Sequence, residues 1–274
     1  MSSRWSRREA LSWAVGAATL GCRSTKQAAP SLATSAAPGV SSESSAGSQF
    51  SDFGGLAVTH VTQMQNTERG GHAVVLLHGY GAPGDDLVPL ARALLQPRTR
   101  FVLPSAPLAV GNGGRAWWPI DTADRPPKLN DSEAISTAGS TPSLDAARSV
   151  VQRVLADTIR HFAPDTLSIA GFSQGAMLSL DVALVAPPAV ARIALLSGAL
   201  LVDAAARLAG FVDRKPAVFV AHGREDPTLP FRGAERMKAE LSAHGFEVTW
   251  RPFTGRHEIP EEIVRELRGF LFGA

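Results

Sequence analysis

From residue 58 onward, apolar positions follow two periods that take turns along the chain. Residues Val58 to Met64 alternate apolar and polar, the period of a strand with one face buried, and this segment is expected at a sheet edge. Ala73 to Leu77 is unbroken apolar, as in a strand covered on both faces. Arg100 to Leu103, Thr166 to Ala170, Val190 to Leu196, Ala217 to Ala221 and Glu247 to Phe253 read as further strands. Between them lie helical patterns. One ends near Leu95 and is expected to be capped by Asp85 or Asp86. The others run from Leu144 to Phe162, Ala176 to Leu184, Arg232 to His244 and Pro260 to Leu271, with Pro260 placed to start the last. Alternating strands and helices predict an α/β fold, a mostly parallel sheet with helices on both faces. No internal repeat or second domain interrupts it, so residues 53–274 read as one domain. Residues 105 to 142 break the rhythm with Gly111-Asn112-Gly113-Gly114, Trp117-Trp118-Pro119 and Pro126-Pro127, and are expected to be an irregular insert.

The first 52 residues follow neither period. Arg7-Arg8 precede an apolar stretch from about Ala10 to Leu20, too short to span a bilayer as a helix, so residues 1–22 read as an export signal of twin-arginine character. Thr19-Leu20-Gly21-Cys22 resembles the lipidation box of bacterial lipoproteins, although leucine stands one place late. Cys22 is the single cysteine, so no internal disulfide is available to it, and it is the expected lipidation site. Residues 23–52 are mostly Ser, Ala, Gly, Thr and Pro and read as a flexible tether. The chain is thus expected to be exported in a bacterium, either periplasmic or anchored to a membrane through Cys22.

Composition adds a limit. The 274 residues are 45% hydrophobic and 19% charged, enough apolar material for a sizeable core. Of 27 basic residues, Arg4, Arg7 and Arg8 fall in the signal, leaving 24; of 25 acidic residues, Glu9 falls there, leaving 24. The remainder is near neutral and carries no basic stripe with interleaved aromatics, so no nucleic-acid partner is expected.

The chemistry centres on Gly171-Phe172-Ser173-Gln174-Gly175, which sits between a predicted strand and a predicted helix. In that context the pattern is a nucleophile elbow, a turn so tight that the positions two residues either side of the serine must lack bulky side chains, which Gly171 and Gly175 supply. A serine hydroxyl is a weak nucleophile at neutral pH and needs a base, and the base needs an orienting acid. In α/β hydrolases the order along the chain is serine, acid, histidine. Of seven histidines, only His257 follows the serine, an acid at a strand end and then one further helix and strand. His78 and His222 precede glycines and are placed to brace loops; His60, His72, His161 and His244 read as solvated or structural. Glu225 and Asp226 both offer the acid, and Asp226 is favoured because Pro227 fixes a turn beside it. His257-Glu258 lacks the second histidine of H-E-x-x-H, and no metal or cofactor is expected. Gly79-Tyr80-Gly81-Ala82-Pro83-Gly84 also matches the dinucleotide fingerprint G-x-G-x-x-G. Against a nucleotide-binding protein stand Asp85 and Asp86 where a pyrophosphate would sit, and no acidic residue follows about twenty positions on.

Four stretches together resemble the phospholipase/carboxylesterase family of α/β hydrolases, which includes acyl-protein thioesterases and small bacterial carboxylesterases. They are Leu77-His78-Gly79-Tyr80-Gly81, the elbow at 171–175, His222-Gly223-Arg224-Glu225-Asp226-Pro227 and Gly255-Arg256-His257-Glu258-Ile259-Pro260. The resemblance covers about residues 70 to 273. It implies an α/β-hydrolase fold, Ser173 as nucleophile, His257 as base, Asp226 as acid, and the backbone amides of Tyr80 and Gln174 as oxyanion hole. The implied activity is cleavage of a small-molecule carboxylic ester through an acyl-enzyme, with thioester or lysophospholipid cleavage by the same groups as the alternative. A non-catalytic surface lipoprotein with a hydrolase fold is the rival of another class. Trp117 and Trp118 have two readings, lining the substrate pocket or packing the insert onto the domain.

Overall fold

The structure, a computed structural model, describes residues 50–65, 67–120, 141–185, 190–211 and 215–273. The expected export signal, with Cys22, and all but the last three residues of the expected tether lie outside these.

Among the described residues, ten strands and six α-helices follow in order. They are β1 (Phe50–Phe53), β2 (Leu56–Thr62), β3 (His72–Leu77), α1 (Val88–Leu94), β4 (Thr99–Pro104), β5 (Leu108–Val110), β6 (Gly114–Ala116), α2 (Thr141–Phe162), β7 (Thr166–Phe172), α3 (Gln174–Val185), β8 (Val190–Leu196), α4 (Val202–Gly210), β9 (Ala217–Gly223), α5 (Phe231–Ala243), β10 (Val248–Phe253) and α6 (Glu261–Phe272). Eight strands form one sheet in the order β1-β2-β4-β3-β7-β8-β9-β10. From β4 to β10 every pairing is parallel; β2 runs antiparallel to β4 and β1 antiparallel to β2.

Alternation along the parallel strands divides the core. Val75 and Leu77 of β3, Ile169 of β7, Ile193 and Leu195 of β8 and Val218 and Val220 of β9 point to the face covered by α2, α3, α4 and α5. Their neighbours Val74, Leu76, Ala170, Ala194, Leu196, Phe219 and Ala221 point to the face covered by α1 and α6. A strand apolar at every position therefore serves two cores. Helix α3 is buried from Gln174 to Leu184, consistent with its all-round apolar sequence. Its one charge, Asp181, is fully buried and is met by Arg148 of α2 at 2.7 Å and by Arg207 of α4. Without such partners a carboxylate could not be held in that interior.

The structure departs from the sequence expectations in several places. β2 is not the sheet edge, because β1 pairs outside it and takes in residues 50–52 of the expected tether. Neither Asp85 nor Asp86 caps α1: Leu87 occupies the cap without a side-chain hydrogen bond, and Pro89 in the first turn starts the helix later. Asp86 is folded into the preceding turn, where burial pushes its carboxyl up to about 6. Within the insert, β5 and β6 form a two-stranded ribbon, while residues 121–140 lie outside the described residues. Pro260 caps α6 and is not its first helical residue. The helix α4 had no counterpart in the reading of the sequence, although its alanine-rich run and the spacing of Ala204 and Leu208, both buried, carry the signal.

Buried His60 and half-buried His72 contribute to the acid response of this fold. Burial, reinforced for His60 by Arg100 and for His72 by Arg192, lowers each from 6.5 to about 4. Between those values the unfolded chain binds more protons at these two sites than the folded one, so their contribution is full above pH 6.5 and is lost as pH drops toward about 4, while Asp86, raised to about 6, offsets part of it. The midpoint of urea unfolding should decrease across that window. His60→Phe, which keeps an aromatic ring against Phe53 and Phe162, should show a shallower decrease; an unaltered slope would exclude His60 as a cause.

Candidate active site

The candidate residues all lie at the carboxyl ends of parallel strands, where open α/β sheets leave a crevice between diverging loops. Gly79 and Tyr80 follow β3, Ser173 follows β7, Asp226 follows β9 and His257 follows β10. β3 and β7 are neighbours, as are β9 and β10.

The elbow explains its glycines by distance. A Cβ on Gly171 would lie 2.3 Å from the carbonyl of Gly175, and a Cβ on Gly175 would lie 2.2 Å from the carbonyl oxygen of Leu77. Any side chain at either position would pry α3 from the sheet. Ser173, caught between them, has φ 54°, a left-handed conformation that serine rarely adopts. Its backbone N–H donates to Leu196 O at 2.9 Å, which ties the turn to β8. Ser173 is partly open to solvent while the residues on either side are buried.

On the neighbouring strands, His257 Nδ1–H donates to Asp226 Oδ2 at 2.7 Å. Both residues are 8% exposed. Of the two adjacent carboxylates, Glu225 is exposed while Asp226 is buried against the imidazole. Asp226 Oδ1 accepts from the backbone N–H of Thr228 at 2.8 Å and of Leu229 at 2.9 Å. His222 Nε2 stands 3.2 Å from Oδ2 and 2.8 Å from Leu229 O, and its buried Nδ1 has no partner, so the proton sits on Nε2. Burial works against the charged carboxylate, but the hydrogen bonds from His222, His257 and Leu229 outweigh it and hold Asp226 well below the usual carboxylate range. The imidazole of His257 reaches back toward the elbow, its ring 4.8 Å from that of Phe172.

The loop after β3 is equally fixed. His78 Nε2 accepts from Ala106 N–H at 3.0 Å, so Nδ1 carries the proton and donates to Gly79 O at 2.8 Å. Burial depresses the pKa of this imidazole, consistent with that single-proton form. Gly81 N–H donates to Arg115 O and Arg115 N–H to Ala82 O, each at 2.8 Å, which staples the loop to β6. Among the described residues, no backbone carbonyl accepts from the N–H of Tyr80 or of Gln174. A Cβ on Gly79 would lie 3.3 Å from Cβ of Ser173, so the glycine lets this loop approach the serine.

The same geometry removes the dinucleotide reading. Gly79 packs on Ser173 and Gly84 on Ser105, and α1 begins only at Val88, after the buried turn at Asp86. The loop does not run into a helix N-terminus that could receive a pyrophosphate. The two tryptophans, at 1% and 4% exposure, pack in the core beneath the site. What the sequence did not disclose is the reach of Gln174. Its Oε1 accepts from Trp117 N–H at 3.0 Å and its Nε2–H donates to Trp118 O at 2.9 Å.

Comparison with known proteins bears on the family and the fold. The family described as Phospholipase/Carboxylesterase matches residues 59–272. A Mycosarcoma maydis protein named acyl-protein thioesterase 1 is 31% identical over 215 residues, which cover 71% of this chain and 88% of that protein. One of the same name from Kluyveromyces lactis is 29% identical over 214 residues, covering 73% of this chain and 90% of it. The crystal structure of esterase PE8 superposes with a TM-score of 0.64 at 29% identity, covering 77% of this chain and 95% of that one.

Gly223 supplies a check on the geometry. A Cβ there would lie 2.2 Å from Arg256 O, one residue before His257. Gly223→Ala should therefore displace the His257 loop, and the downfield proton resonance of the His257 Nδ1–H bonded to Asp226 should disappear from the NMR spectrum. Its persistence would mean that the loop is not held through this contact.

Proposed function

The chain belongs to the phospholipase/carboxylesterase family of α/β hydrolases, and from that premise we propose that it cleaves carboxylic esters of small molecules through an acyl-enzyme on Ser173. The observation that carries this reading is the 2.7 Å hydrogen bond from His257 to the buried Asp226, beside a serine held at φ 54° on an elbow. His257 Nε2 takes the proton as Ser173 Oγ attacks the ester carbonyl. Asp226 stays ionised, holds Nδ1–H and stabilises the imidazolium. The oxygen of the tetrahedral intermediate accepts from Tyr80 N–H and Gln174 N–H, which is where a negative charge develops. Losing one such donor typically costs about 3–4 kcal/mol of transition-state stabilisation. Collapse expels the alcohol, protonated by His257. Water deprotonated by the same imidazole then releases the acid and restores Ser173.

A thioester is the second reading, supported by the relatives named acyl-protein thioesterase 1. The same groups serve it, and the departing thiolate needs less help from the imidazolium than an alkoxide does. Turnover of butyryl esters and butyryl thioesters side by side separates the two. The wild type should be labelled covalently by a fluorophosphonate, and Ser173→Ala and His257→Ala should not. Asp226→Asn should retain the fold and lose about 10⁴ in kcat, since an amide facing Nδ1 favours the wrong tautomer. A well-folded wild type that resists labelling would overturn the assignment in favour of a non-catalytic protein.

We propose also that the hydrolase is exported and carried on a membrane through lipidated Cys22. Arg7-Arg8 and the lone cysteine after an apolar stretch support this reading. Expressed in a bacterium with its full N-terminus, the protein should partition into the membrane fraction, and Cys22→Ser should release it. A wild type recovered wholly in the soluble cytoplasmic fraction would reject the proposal.

A further inference from the structure

We infer that Trp117 is a positioning residue that sets the distance between the two oxyanion-hole amides; this rests on the hydrolytic reading above. One buried residue touches both loops that supply them. Its backbone N–H donates to Gln174 Oε1 at 3.0 Å, on the residue that follows the serine. Its indole Nε1–H donates to His78 O at 2.9 Å, two residues before Tyr80. The ring lies 5.3 Å from the imidazole of His78, which itself bonds Gly79 O.

These links are placed where they control direction. A peptide carbonyl held at His78 and another at Gly79 fix the planes of the peptides leading to Tyr80 N–H. The Gln174 side chain, 1% exposed and bonded to both Trp117 N–H and Trp118 O, has no freedom to let its own backbone turn. The strap from Gly114 to Trp118 thus continues from its ribbon contact with Gly81 and Ala82 to the start of α3. Two donors on separate loops act on one oxygen only if their separation is held before the charge appears, since the advantage of such a site is that nothing reorganises during reaction. Backbone contact brings β3 and the elbow together, but Tyr80 and Gln174 are not hydrogen-bonded to each other, and Trp117 adds a link that is bonded to both sides.

Trp117→Phe keeps a ring in the core and deletes the indole donor. It should lower kcat on p-nitrophenyl butyrate by about 10- to 100-fold, the scale of a misplacement of up to an ångström, with KM changed less than about twofold. The affinity of a trifluoromethyl ketone, whose hydrate oxyanion mimics the intermediate, should fall by the same factor as kcat/KM. Gln174→Met severs the other link while leaving the backbone amide, and should reproduce both effects. A residue that only fills the core would lower the melting temperature and leave kcat and ketone affinity in proportion to folded protein. That result in either folded variant overturns the inference. Should Trp117→Phe not fold, Gln174→Met decides alone. Failure of the wild type to react with a fluorophosphonate would instead remove the hydrolytic reading itself.

Discussion

The closeness of three backbone segments at the middle of the sheet governs this molecule. β7, the elbow and the first turn of α3 come together with β3 at distances that admit no side chain on Gly171 or Gly175. That contact forces Ser173 into a left-handed conformation and aims it out of the carboxyl edge. It also drives α3 through the interior with apolar residues on every side, so that its single carboxylate, Asp181, has to be matched by two arginines. The strain at one serine is held by the packing of a whole layer, as is general for outliers at functional sites.

Around this point the polar groups are satisfied in a way that leaves little to move. Asp226 faces four donors, two from the backbone that follows it and two from imidazoles. Its charge is therefore fixed by hydrogen bonding in spite of burial, and the orientation of His257 follows. On the other side of the serine, His78 and Trp117 hold the loop that carries Tyr80. Both halves share a logic: the candidate groups lie on loops, and buried donors and acceptors one step behind them remove the loops' freedom.

The insert illustrates how chemistry and packing can look alike in a sequence. Two adjacent tryptophans in an irregular stretch suit a substrate pocket and suit a core equally well. In the fold the Trp117 indole N–H donates to His78 O, and the peptides at Trp117 and Trp118 meet the Gln174 amide. The rings are thereby drawn under the site, and β6 is brought alongside Gly81 and Ala82.

The alternation of strands and helices, the nearly continuous apolar strands and the glycines of the elbow are properties of short windows, and sequence alone sufficed for them. Buried parallel strands must be apolar on both faces, and a tight strand-to-helix turn must carry glycines at set places. The sheet order, the outer strand β1 and the delayed start of α1 depend on which segments meet far along the chain or on how a turn is buried, and no local pattern encodes them. The burial of Asp226 against His257 is of this kind too: Pro227 marks a turn in the sequence, but only the fold brings that turn to the imidazole and leaves Glu225 exposed. The bridge made by Trp117, which joins residues 39 and 57 positions away, is another case. Side-chain hydrogen bonds between distant segments leave no periodic trace, and only the folded chain sets their partners.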